Sequence, residues 1–313
     1  MTVTMEPGSP SGAGPAPDLT ARSRPGEAVI KALLLLAAVL SIAITIGIIA
    51  AILQPAIDFF REVPLGDFFS TQDPEGSGQT KPAVLPLIMG TAQTTIIALI
   101  IAVPIGLGAA MYLSEYASRR SRKYLKPTVE LLAGVPSVVY GFFALTFVTP
   151  TVLNGWLNLQ VNFTNSLAAG IVLGVMIIPT IASLSEDAFS AVPMALRQGS
   201  LAMGANRMQT TLRVVLPAAL SGVAAAVVLG LSRAVGETMI LALAAGAAKN
   251  VSFDVREGHQ TMTGFIAQTA GGETPVGTAG YNMLFAVALL LFVITFIMNI
   301  ISIQIVRRFR QAY

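Results

Sequence analysis

The sequence has no cysteine and one histidine, His259. The first absence excludes disulfides, thiolate metal sites and thiol catalysis. The second excludes a metal cluster built from histidines. Charge is scarce too: only 11% of the 313 residues are Asp, Glu, Lys or Arg, against about 25% in a soluble domain. With 54% hydrophobic residues and a mean hydropathy of +0.73, the chain is excluded as a soluble protein. It also lacks any G-x-x-x-x-G-K-[ST] stretch, so it cannot cradle nucleotide phosphates in a P-loop.

What is present is a series of apolar runs. About 20 residues cross a bilayer core. Six spans can be drawn, at about 30–54, 85–111, 127–151, 166–189, 218–246 and 282–305. Pro136 and Pro179 interrupt the third and fourth, which is tolerated where neighbours satisfy the freed backbone groups. Residues 1–27 are rich in Pro, Gly and Ser and read as a disordered cytoplasmic tail. The apolar run after them is too long for the core of a signal peptide.

Basic residues sort the connections. Arg119, Arg120, Arg122, Lys123 and Lys126 fall within eight positions. Arg197, Arg207 and Arg213 follow the fourth span, Arg307, Arg308 and Arg310 close the chain, and 152–165 has no Lys or Arg. This alternation predicts six spans with both termini in the cytoplasm. The expected fold class is an all-α membrane protein, with a transmembrane domain at 28–313 and a regular inner segment at about 193–216. On the outer side, short helices are expected around 58–69 and before Gly271-Gly272, and His259 lies in an outer loop with no assigned role.

Two charges interrupt the fifth span, in "VVLGLSRAVGETMILALAAG". Arg233 lies 16 residues past Pro217, roughly 24 Å along a helix, where an arginine costs about 2.5–3.5 kcal/mol or more. Glu237, four residues on, shares its helix face with Arg233 and with Gly222, Ala226, Gly230, Leu241 and Ala244. Such small residues line helix contacts. Two readings are open. The charges neutralise each other and tie helices together, or Arg233 attracts an oxyanion while Glu237 holds its guanidinium. Glu130, Gly134, Ser137 and Gly141 form a second stripe beside Tyr140, read either as a pathway wall or as a packing seam. Glu130 differs too much in depth from Arg233 for direct pairing. Glu186 and Asp187 read as a solvated helix end, with contact to a partner as the alternative.

The inner segment "AVPMALRQGSLAMGANRMQTTLRVVLP" has helical periodicity broken at Gly204. It reads as two short amphipathic helices, either docked to a partner or lying on the membrane surface. After Gly204 come nine residues, then Val214, one residue and Leu216-Pro217. This spacing resembles the cytoplasmic motif of ABC importer permeases (MetI-like), which opens with Glu-Ala-Ala where this chain has Gln198, Gly199 and Ser200. The resemblance implies a coupling segment facing an ATPase through Gln198, Gly199, Ser200, Gly204, Ala205, Arg207, Leu216 and Pro217. The stretches "LAGVPSVVYGFFAL", "SLSEDAFSAVP", "LSRAVGETMIL" and "TPVGTAGYNMLFAV" are similar to the PstC family of phosphate-importer permeases, more than to the sister PstA family.

That resemblance implies a permease subunit for inorganic phosphate in the bacterial cytoplasmic (inner) membrane. It implies no enzymatic activity and no cofactor on this chain. Its partners would be a sister permease (PstA-like), two copies of a cytoplasmic ATPase (PstB-like) holding ATP and Mg, an extracytoplasmic phosphate-binding protein (PstS-like) and membrane lipid, without nucleic acid. The expected substrate pathway comprises Arg233, Glu237, Glu130, Ser137 and Tyr140. Open alternatives are another oxyanion (sulfate, molybdate or phosphonate), an ATPase-independent channel or carrier, and a structural scaffold.

Overall fold

A computed structural model describes residues 25–71, 83–272, 275 and 277–309; the expected tail at 1–27 lies outside them except for its last three residues, which open the first helix. That helix, α1 (Pro25–Glu62), has no charged residue between Lys31 and Asp58. The chain divides into two units, one ending at Ala50 and the other running from Ala51 onward. In the described part of the first unit α1 is free of charge from Ala32 to Ala50 and apolar on all sides, as a lipid-embedded helix must be.

The second unit begins with the end of α1, where Phe59 and Phe60 meet Phe68 of α2 (Leu65–Phe68) edge-on. α3 (Leu85–Met111) widens into a π-helical turn at Tyr112–Tyr116. α4 (Arg119–Ala133) starts on a Ser118 cap and buries none of its residues. α5 (Ser137–Phe143) continues as a π-helical stretch, Ala144–Trp156, around Pro150. α6 (Ser166–Ser190) is capped by Asn165. α7 (Met194–Ala202) and α8 (Arg207–Thr210) form the inner segment, which passes through π-helical Thr211–Val215 into α9 (Leu216–Ala218). α10 (Leu220–Val235), α11 (Met239–Ala244), α12 (Met262–Ala270) and α13 (Ala279–Phe309) complete the order. Among the described residues, five helices are long and apolar enough to cross a membrane, or six if the bent pair Arg207–Ala218 and Leu220–Val235 counts as one.

α6 is the hub: it packs against α3, α4, α5, α10 and α11. Its contact with α3 is made close by missing side chains. A Cβ on Gly170 would lie 2.6 Å from Ile97, and one on Gly174 would lie 2.9 Å from the Ala98 carbonyl. Lipid offers no hydrophobic drive for helices to associate, so close backbone approach supplies the cohesion. Leu173, Ile177 and Ile181 fill the seam against Ala98 and Ala102, all fully buried.

Two expected spans take a different form. Residues 127–133 belong to α4 and not to the third span, which starts at Ser137. Pro136 has extended backbone (ψ 136°), lacks an N–H and disfavours helix at Val135, so the chain turns between α4 and α5. The fifth span is interrupted twice. Its helix bends by 73° at Ala219, two residues after Pro217, and it stops at Val235 before α11 restarts at Met239.

The α3–α6 seam gives a direct test. Gly170→Ala and Gly174→Ala should each cost about 1–3 kcal/mol by overpacking, read as a lower thermal midpoint in detergent. Gly108→Ala, where a Cβ meets nothing within 4 Å, should be neutral.

Candidate functional site

The break at residues 236–238 decides what Arg233 touches. Glu237 Oε1 accepts from the backbone N–H of Met239 (3.1 Å) and Ile240 (3.4 Å), which caps α11. The Thr263 hydroxyl of α12 donates to the Glu237 carbonyl freed by the break (2.6 Å). Glu237 is therefore spent on local backbone, its charge set against unpaired N–H groups. Arg233, still on α10, donates from Nη1 to Thr180 Oγ1 of α6 at 3.2 Å. Arg233 is exposed in this chain and has no carboxylate partner among the described residues. The expected Arg233–Glu237 pair does not form. Sharing a face at i and i+4 requires an unbroken helix, and α10 ends between the two.

The other expected pathway residues separate. Tyr140 is buried and its hydroxyl donates to the Leu132 carbonyl at the end of α4 (2.8 Å), so its proton is committed there. Ser137 is the first residue of α5 and half-buried. Glu130 sits exposed on α4, below the start of the third span, and the stripe joining it to Ser137 is cut by the turn at Pro136.

A second constellation sits where α3, α4, α6 and α7 meet. Glu186, fully buried, is paired with Arg122 and with Lys126 (2.6 Å) of α4. Lys126 also reaches Asp187 (3.2 Å), whose side chain is 61% exposed. The solvated reading thus holds for Asp187 and fails for Glu186. Taking a lone carboxylate out of water costs several kcal/mol, so the two cations of α4 are what permit Glu186 to stay buried. Beside it, Arg197 of α7 binds Glu115 (2.9 Å) and donates to the carbonyls of Phe189 (2.7 Å) and Val192. One guanidinium thereby satisfies the end of α6 and ties α7 to α3. A cavity of about 390 Å³ opens here, lined by Glu115, Arg122, Arg197, Gln198 and Arg207 among others.

The inner segment is built to present a surface. Gly204, at φ +86°, takes a left-handed turn that a side chain would strain. Asn206 and Gln209 form a capping box that starts α8 at Arg207. Ala205 N–H donates to the Ser200 carbonyl, and the Ser200 hydroxyl bonds Thr210 (2.9 Å), closing α7 against α8. Gln198 and Gly199 lie on α7, and Leu216-Pro217 leads into the 73° bend. Met203 is 88% exposed, with Met194, Met208 and Leu201 exposed beside it.

At the other end of α6, His259 is fully buried and hydrogen-bonded through Nδ1 to Ser166 (3.0 Å), so it anchors the start of that helix. Nearby, side-chain and backbone hydrogen bonds from Arg256 hold Asp254 at about 2. That turn therefore stays ionised at any physiological pH.

Sequence reasoning missed Thr180, Glu115 and Arg197 as a set. The available signals were a threonine following Pro179 inside an apolar run, and acids at span ends facing a basic cluster. The Glu186 cluster can be tested by stranding its carboxylate. Arg122→Met with Lys126→Met should destabilise the protein by about 3–5 kcal/mol, seen as a lower thermal midpoint. Adding Glu186→Gln should restore most of that loss.

Comparison with known proteins agrees with this architecture. Residues 102–311 match the family described as binding-protein-dependent transport system inner membrane component. The Bacillus subtilis protein named probable ABC transporter permease protein YqgH is 40% identical over 69% of this chain and 69% of its own length. The Mycobacterium tuberculosis phosphate transport system permease protein PstC 2 is 36% identical over 88% of this chain and 90% of its own. One chain of the crystal structure of a bacterial alginate ABC transporter, in complex with an alginate pentasaccharide-bound periplasmic protein, superposes with a TM-score of 0.66. It does so at 14% identity, over 90% of this chain and 95% of that one. The chain belongs to the family of binding-protein-dependent transport system inner membrane components, and is a multi-pass inner-membrane permease of the ABC transporter class.

Proposed function

We propose that the chain is the PstC-type permease subunit of an ATP-driven phosphate importer. The observation that supports this most is Arg233: a guanidinium on a membrane helix, bonded to a neutral hydroxyl and not to a carboxylate. Its planar N–H fork matches paired oxyanion oxygens. A formal ion pair with Glu237 would have neutralised it. The choice of phosphate over other oxyanions rests on relatives that are named phosphate transport system permeases at 32–37% identity.

In this reading the permease does no covalent chemistry. ATP, with Mg, is hydrolysed by two copies of a separate cytoplasmic ATPase (PstB-like). A sister permease (PstA-like) supplies the other half of the route, and an extracytoplasmic protein (PstS-like) delivers the anion. The basic residues of α4, α7 and α8 support an orientation with that end in the cytoplasm and both termini on the same side. The exposed methionines around Gly204 would seat in the ATPase, since such flexible apolar side chains adapt to a partner. Arg197 would then pass displacement to α3 and α6, because it binds both.

Removing a charge-assisted bond worth about 1.5–3 kcal/mol should slow transport roughly 10- to 100-fold. Arg233→Gln should therefore lose phosphate uptake to that degree in assembled complexes, while ATPase association is kept. Arg233→Lys should keep part of it. Normal uptake by both variants would end this reading. Glu237→Gln retains an acceptor for the α11 cap, so it should transport near normally; a loss equal to that of Arg233→Gln would restore the view of the two as one unit.

A further inference from the structure

We infer that α4 is a docking surface for anionic phospholipid at the membrane boundary. The helix buries none of its fifteen residues. Tyr124 and Leu131 recur seven residues apart, as do Leu125 and Leu132, so all four fall on one side of the helix. They are 71%, 73%, 41% and 42% exposed. Arg120, four residues before Tyr124, edges that side, and the remaining basic residues fill the opposite one. Arg122 and Lys126 on it are taken by Glu186, whereas Arg119, Arg120 and Lys123 stay exposed without an acidic partner among the described residues, and Glu130 is the one acid on the helix.

The position of α4 says which phase meets this surface. Only residues 134–136 separate it from α5, the first residues of a membrane span. Four chain steps reach at most about 14 Å, and the Tyr140–Leu132 hydrogen bond shortens that reach. The end of α4 therefore lies at the headgroup layer. An amphipathic helix with basic flanks at that depth sinks its apolar side into the acyl boundary and keeps its cations among headgroups. Juxtamembrane Lys and Arg are drawn to anionic lipid, each by about a fivefold preference. The Glu186 ion pairs, in turn, fasten the lipid-seated helix to the hub helix α6.

The test uses the assembled complex in nanodiscs of phosphatidylcholine, with or without phosphatidylglycerol. The chain has no cysteine, so Tyr124→Cys with a polarity-sensitive fluorophore reports one site. We expect a blue shift in both membranes, and retained phosphatidylglycerol enriched several-fold over phosphatidylcholine on extraction into detergent. Arg119→Gln, Arg120→Gln and Lys123→Gln together, which leave the Glu186 cluster intact, should bring that enrichment near parity. Equal retention of the two lipids by the unmodified complex would overturn the inference. So would a fluorophore already buried in lipid-free complex, which would mean that a protein subunit covers α4. The measurement does not depend on which anion is transported.

Discussion

The end of α10 at Val235 is the constraint on which the rest turns. A continuous helix would stack Glu237 one turn above Arg233, and the two would cancel. The break instead gives Glu237 to the N–H groups of α11 and leaves Arg233 facing Thr180. A cation in a membrane helix is costly unless something compensates it. Here the compensation seen among the described residues is one neutral hydroxyl. The proposed anion route follows from that deficit.

The second organising element is α6, joined to its neighbours by two kinds of force along its length. Through its apolar middle it meets α3 by close packing at Gly170 and Gly174. At its charged end it is held by α4 through Glu186 and by α7 through the carbonyls bound to Arg197. Ion pairs at that end and glycine packing in the middle make α6 a stiff connection between the inner segment and its own Thr180, which accepts from Arg233 of α10. In the proposed reading a displacement of α7 would reach α6 through Arg197, bypassing residues 191–193 between the two helices.

Much of the architecture was legible in the residues. Apolar run length gave the membrane class, and helical periodicity broken at Gly204 gave two short helices, found at Met194–Ala202 and Arg207–Thr210. The misreadings have one physical cause. Periodicity treats a segment as an unbroken helix, so Glu130 was placed inside a span that starts after Pro136, and Glu237 was placed over Arg233 across a break that nothing but Gly236 announced. The ion pairs of Glu186 with α4 and of Arg197 with Glu115 join residues 60 or more positions apart, and no local pattern encodes a pairing of that kind. Thr180 became visible only once α6 and α10 were placed side by side.

The central claim is that water reaches position 233 on its way through the complex. Because the chain has no cysteine, Arg233→Cys provides a single reactive site for a water-soluble, membrane-impermeant thiol reagent. The account predicts labelling of the assembled complex either at rest or with ATP, while Ala234→Cys, at a fully buried position, stays unreactive. Failure of position 233 to react in both states would contradict it.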